Sequence, residues 1–295
     1  MSNPTPEHIL QRLDWRVIRR LDGMLQGDYR TLFYGFGLDL AEVREYQPED
    51  DIRYMDWNVT ARMSTPYVRQ YHEDREITAW FLLDLSPSVD FGTVKTMKRD
   101  MLIEFTTVMA RLLTRHGNRV GALCYGGRVE RVIPARGGRI QVLRLVNDLL
   151  KQPKLTKAPL TNLGDLLEAA GRSFRRRSLI FIVSDFISAP GWERPLRQLT
   201  QRHEVLAVRL SDPREVDLPD IGPIVMEDAE TGEQLWVNTS DKKFRKRFNE
   251  AAKRREAATQ DMLRHAGVDV LPLSTEDDLV RALVGFTAKR KQRRV

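Results

Sequence analysis

The chain has 295 residues, 41% apolar and 30% charged, with 48 Lys and Arg against 41 Asp and Glu and a formal charge of +7. That composition excludes a disordered chain, and a lone Cys124 excludes an internal disulfide and any cysteine-based zinc or iron–sulfur centre. The longest apolar runs, 77–83 and 179–183, fall far short of a bilayer span, and the polar start Met1–Glu7 is no signal peptide, so the expectation is a cytoplasmic protein that does not span a membrane.

Apolar Ile9, Leu10, Leu13, Val17, Ile18, Leu21 and Leu25 recur at helical spacing and predict an amphipathic helix over 8–25. Gly35-Phe36-Gly37 breaks the pattern. Residues 38–76, rich in acids, arginines and aromatics, read as a small irregular β-containing module, with Tyr46 and Trp57 as core anchors. Within it Glu49, Asp50 and Asp51 are expected to pair with Arg44, Arg53 and Arg62, since a poorly periodic segment needs polar networks to specify it.

Strands then alternate with helices. Ile77–Leu83 reads as a buried parallel strand and 95–115 as a helix. Val120–Tyr125 and Val129–Ile133 flank Gly126-Gly127, a hairpin signal. Helices follow at 140–150 and 161–174, then strand Leu179–Val183, a helix at 192–201 and strand Val205–Leu210. Ile224–Glu227 and Gln234–Val237 form a hairpin insertion within 214–238. A long helix over 241–266, strand Val268–Leu271 and a last helix capped by Thr275 complete the chain.

This alternation predicts an α/β fold with a doubly wound, mostly parallel sheet and helices on both faces. The expected domains are 1–75 (helix and irregular module), 76–286 (α/β domain with the hairpin insertion) and 287–295 (basic tail). Lys289, Arg290, Lys291, Arg293 and Arg294 carry five of the seven excess charges, so the basic balance describes that tail.

In such a sheet ligands gather beyond the carboxyl ends of the strands. The first buried strand ends in Asp84-Leu85-Ser86-Pro87-Ser88, the second in Ser184-Asp185, and the helix at Thr161-Asn162 opens on the same edge. Two carboxylates and three hydroxyls make an all-oxygen set suited to a hard divalent cation with room for an outside ligand. The plainer alternative is that Ser86 and Ser88 only cap the next helix and Asp185 only closes a turn.

Asp-x-Ser-x-Ser, a later Thr and an Asp after a buried strand resemble the metal-ion-dependent adhesion site of von Willebrand factor type A domains. The resemblance implies Mg²⁺, or Mn²⁺ or Ca²⁺, touched by Ser86, Ser88 and Thr161, with Asp84 and Asp185 acting directly or through waters. It also implies a carboxylate-bearing protein ligand in the remaining position. The stretch 44–57 with Ala61-Arg62, then Tyr71-His72-Glu73-Asp74-Arg75-Glu76, Phe91-Gly92 and Ser184-Asp185-Phe186 resembles the bacterial domain-of-unknown-function family 58. Members of that family are companions of MoxR-type AAA+ ATPases, so the resemblance implies an adaptor or co-chaperone acting with such an ATPase.

Other readings are weaker. No Walker A loop, Gly-x-Ser-x-Gly elbow or Asp-x-Asp motif is present, and the five histidines, at 8, 72, 116, 203 and 265, show no metal-ligand spacing, so no enzyme is expected. A metal-dependent hydrolase at Asp84 and Asp185, and a nonspecific nucleic-acid binder through Arg175-Arg176-Arg177, 242–255 and the C-terminal run, are the alternatives.

Overall fold

The computed structural model describes residues 5–24, 42–48, 50–52, 55–63, 65–70, 77–155 and 159–292. The chain divides into two compact units, Asp28–Ile77 and the remainder, Met1–Gly27 with Thr78–Val295.

In the larger unit, helix α1 (Pro6–Leu13) passes through a π-helical stretch (Asp14–Ile18) into α2 (Arg19–Met24). The predicted periodicity is used: Ile9, Leu10, Leu13, Val17, Ile18 and Leu21 are all buried. Arg111 pairs with Asp14, and Arg20 with Asp278. This helix therefore belongs with the α/β unit, not with the module that follows it, and the expected boundary at 75 is corrected.

In the smaller unit, β1 (Glu42–Glu45) pairs antiparallel with β2 (Tyr67–Gln70), and α3 (Trp57–Met63) lies between them in sequence. Arg44 grips Asp50 through two bonds of 2.8 and 2.6 Å, as expected of this segment. Trp57 is 67% exposed and is not a core anchor. Glu49, Arg53 and 71–76 lie outside the described residues, as do Gly35-Phe36-Gly37.

The central sheet holds β3 (Thr78–Asp84), β4 (Arg119–Tyr125), β5 (Val129–Arg136), β6 (Leu179–Ser184), β7 (Glu204–Ser211) and β10 (Asp269–Ser274). Their order is β10-β7-β6-β3-β4-β5, parallel throughout except for edge strand β5. The chain starts at the centre with β3, moves one way to β4 and β5, and returns to place β6 on the other side of β3. The sheet thus has its switch point between β3 and β6, where the connections leave toward opposite faces and open a crevice.

Alternation of side chains across the strands divides the core into two layers. Leu82, Leu123, Ile180, Ile182 and Ala207 join Leu166 and Ala170 of α6 (Leu163–Ser173), Leu196 and Leu199 of α7 (Glu193–Arg202), and Leu263 of α8 (Lys242–His265). On the opposite face Phe81 stacks on Phe181, which meets Phe105 of α4 (Lys98–Arg115) edge-on. Helix α5 (Gly138–Lys151) packs beside α4. Gly92 sits where a Cβ would lie 2.4 Å from the Thr96 carbonyl oxygen, so the turn into α4 requires glycine.

The inserted hairpin is formed by β8 (Pro223–Glu227) and β9 (Gln234–Asn238). The last helix, α9 (Leu279–Gln292), starts later than Thr275 suggests. Asp278 is its capping side chain, accepting from the Arg281 N–H at 3.1 Å. Arg290 lies on this helix, nearly buried, and pairs with Glu204 at 3.2 Å and Asp269 at 2.9 Å. The supposed tail is helical through Gln292, so residues 287–292 belong to the folded body, and 293–295 lie outside the described residues.

Thr275 serves a different purpose. Its hydroxyl donates to buried Asp212 at 2.6 Å, which also accepts from the Thr93 hydroxyl at 2.6 Å, the Thr93 N–H at 2.8 Å and the Arg214 N–H at 2.9 Å. Burial pushes this carboxyl up, but the Thr275 and Thr93 hydroxyls and the two N–H groups outweigh it and hold the carboxyl below its ordinary range. Three loops at the carboxyl edge are joined through one side chain. Asp212→Ala should cost about 2–4 kcal/mol in urea unfolding, because two buried hydroxyls lose their acceptor. A depressed native pKa stabilises the fold above the unfolded value of about 4, so the difference between wild type and variant should shrink as pH falls below it.

Candidate metal centre

Strand β3 delivers Asp84 to the crevice with no exposed surface. Its Oδ1 accepts from the Ser86 N–H at 3.0 Å, and its Oδ2 accepts from the Ser184 hydroxyl at 2.6 Å across the β3–β6 pair. Among the described residues no basic group pairs with this carboxylate. Burial first, and then the charge of Asp185, push its carboxyl up to about 6.

The chain after Ser86 tightens into a 3-10 turn (Pro87–Asp90) that places the Ser86 and Ser88 hydroxyl oxygens 3.1 Å apart. Adjacent ligands on an octahedral Mg²⁺, with bonds near 2.1 Å, stand about 3 Å apart, so the two hydroxyls match that spacing. Arg99 fixes the turn from α4, gripping Asp90 at 2.6 and 2.8 Å and the Leu85 carbonyl at 3.3 Å.

Asp185 follows β6. Its Oδ1 accepts from the Ile187 N–H at 2.9 Å. The next residue, Phe186, has φ of 59°, a left-handed conformation that a bulky side chain adopts only when its surroundings hold it there. The Ser184 hydroxyl, accepting from the Phe186 N–H at 2.8 Å, and packing of Phe186 on Trp192 supply that hold. Asp185 Oδ2 accepts from Lys98 Nζ at 2.7 Å, and the same ammonium donates to Glu215 at 2.5 Å. Lys98 is fully buried, which alone would lower its pKa, yet the charges of Asp185 and Glu215 raise it and keep it an ammonium.

Thr161 stands at the mouth of α6. Its carbonyl accepts from the Ser188 hydroxyl at 3.0 Å and the Ala189 N–H at 2.8 Å, which ties it to the loop after β6. Next to it, the Asn162 N–H donates to the Tyr125 hydroxyl at 2.9 Å, and Tyr125 is the register partner of Asp84. The Thr161 N–H and hydroxyl both donate to the buried carboxylate of Glu230, at 2.7 and 2.5 Å.

The structure thus joins Asp84 and Ser86 by a hydrogen bond, sets Ser88 against Ser86, and anchors Thr161 to the same edge. Asp185 faces an ammonium, so one of its oxygens is already engaged by Lys98 and the other by the Ile187 N–H. Among the described residues no three His, Cys, Asp or Glu side chains are grouped to hold an ion, and the candidate set depends on its hydroxyls. Those residues fit a hard cation: the Ser86 and Ser88 hydroxyls are spaced for one, and a buried carboxylate without a counter-ion among the described residues calls for one.

Residues 42–258 match the family model described as "Protein of unknown function DUF58". The chain belongs to the DUF58 family. Two uncharacterized relatives, Mb1516 of Mycobacterium bovis and Rv1480 of Mycobacterium tuberculosis, are each 38% identical over 292 residues, covering 99% of this chain and 92% of the relative. Among solved structures it is similar to the conserved hypothetical protein BatB of Bacteroides thetaiotaomicron, at 14% identity and a TM-score of 0.48 over 73% of this chain and 99% of that one. It is also similar to the SpRpn10 VWA domain, at 12% identity and a TM-score of 0.38 over 71% and 94%.

In this DUF58 chain three residues of the centre escape the sequence pattern, Lys98, Glu215 and Glu230, while Ser184, read there only as a strand end, holds Asp84. Lys98 leaves a trace, because with Arg99 it puts two cations into the first turn of a helix, where the dipole opposes them. That local violation marks the partners waiting beyond the helix end. Glu230 leaves none, since an acid in a hairpin turn is ordinary. No helix of the described residues is long and apolar enough to cross a membrane.

Proposed function

We propose that this DUF58 chain is a divalent-cation-dependent protein-interaction module without catalytic turnover, a cytoplasmic adaptor for a MoxR-type AAA+ ATPase in the assembly or maturation of other complexes. The observation that carries the reading is the buried Asp84 carboxylate, without a basic partner among the described residues, beside two hydroxyls 3.1 Å apart at the sheet's switch point. Bound Mg²⁺ supplies a Lewis-acidic point that a carboxylate of another protein recognises. Ser86, Ser88 and Thr161 would hold it, Asp84 would neutralise it from behind, and Asp185 would orient a water.

Hydrolysis needs a base that can take a proton. The amine at this edge, Lys98, does not supply one for turnover, being held as an ammonium between Asp185 and Glu215, with no lone pair to offer. Asp84, whose carboxyl is pushed up to about 6, is the group there that could take a proton. The basic C-terminal run favours nucleic acid less than its composition suggests, because Arg290 is already paired within the fold.

Immobilised wild-type protein should retain a MoxR-type ATPase in Mg²⁺ and release it in EDTA, and Asp84→Ala should bind at least about tenfold more weakly. Retention that ignores both EDTA and the substitution counts against the reading.

A further inference from the structure

The inserted hairpin reaches into the centre. Glu230, in the turn between β8 and β9, is only 5% exposed although its neighbours Thr231 and Glu233 are exposed, as are Leu235 and Trp236 beyond them. Both of its carboxylate oxygens accept from Thr161, one from the N–H and one from the hydroxyl. The turn is built to present it: Asp228 accepts from the N–H groups of Glu230 and Thr231 and from the Thr231 hydroxyl. A carboxylate is thereby delivered from a surface loop onto the hydroxyl expected to ligate the metal, where an outside carboxylate would arrive.

We propose that Glu230 is a built-in competitor for the partner's carboxylate: it occupies Thr161 in the free protein, and a partner's acidic side chain takes its place and frees the β8–β9 hairpin. This rests on the metal-dependent reading above. It adds a regulated element, because binding at the centre then changes a surface whose Leu235 and Trp236 are 63% and 76% exposed. The competition follows from charge and space: two carboxylates beside one site repel, and of the three positions an octahedral cation keeps beside three hydroxyl ligands, those filled by waters held by Asp84 and Asp185 leave room for one outside carboxylate.

Hydrogen exchange of the hairpin amides tests this, with Mg²⁺ as the metal and acetate as the carboxylate probe, chloride at equal ionic strength serving as control. In wild type, Mg²⁺ with acetate should speed exchange across 223–238 by at least roughly tenfold, the scale of losing one charge-assisted hydrogen bond. Mg²⁺ with chloride should not. Glu230→Gln should start with fast hairpin exchange, show no further response to acetate, and still gain thermal stability from Mg²⁺. An unresponsive wild-type hairpin, with that Mg²⁺ stabilisation present in both proteins, overturns this inference alone. Absence of Mg²⁺ stabilisation in both proteins overturns it together with the metal-dependent reading.

Discussion

Lys98→Met should lower the unfolding free energy by about 3–5 kcal/mol, the usual cost of removing one partner from a buried ion pair. The side chain has no exposed surface, and its ammonium serves Asp185 at 2.7 Å and Glu215 at 2.5 Å. Methionine fills nearly the same volume, so packing is kept while two carboxylates lose their counter-charge. Asp185, with a side chain 1% exposed, bears most of the damage, whereas Glu215, 17% exposed, can turn toward water. Adding Asp185→Asn to Lys98→Met should therefore recover a large part of the loss. Urea unfolding of the two single variants and the double variant measures the coupling. A loss below about 1 kcal/mol in Lys98→Met would mean that the pair is not desolvated as the geometry requires.

Asp84→Asn should act in the opposite sense. Removing a buried, unpaired charge while retaining the side chain's shape should stabilise the metal-free protein, by about 1–3 kcal/mol at pH 7. The sign follows from the raised carboxyl: an acid whose native pKa lies above its unfolded value loses stability as pH rises through the window between them, here from about 4 to about 6, and the whole cost is present above it. The gain from the substitution should accordingly fade as pH drops from 7 toward 4, where wild-type Asp84 is protonated as well. At about 2–4 °C per kcal/mol for a domain of this size, a thermal melt resolves it. The amide oxygen still accepts from the Ser86 N–H and the Ser184 hydroxyl can turn to accept from the amide N–H, so a large loss of stability would show that Asp84 is structural.

Much of this was legible because burial writes simple patterns. The continuous apolar runs at 77–83 and 179–183 became β3 and β6, the pair that frames the crevice. The alternation of strands with helices pointed to the mostly parallel sheet, though not to its strand order, and Asp84, Ser86, Ser88 and Asp185 lie after β3 and β6 with Thr161 at the mouth of α6. What escaped was contact between distant residues. Lys98 meets Asp185 across 87 positions and Thr161 meets Glu230 across 69, and neither pairing has a local period to betray it. Trp57 misled because an aromatic residue in an irregular segment gives no sign of which side faces water. The terminal Lys and Arg run misled for a related reason: a charge count does not distinguish a solvated tail from a helix that buries Arg290 against Glu204 and Asp269.

Calorimetric titration of MgCl₂ into the metal-free chain tests the central claim most directly. One saturable site with a dissociation constant at or below the millimolar range, absent in Asp84→Asn and weakened by Ser86→Ala, is the predicted result. No heat up to about 10 mM Mg²⁺, or equal binding by Asp84→Asn, would contradict a metal centre at the end of β3.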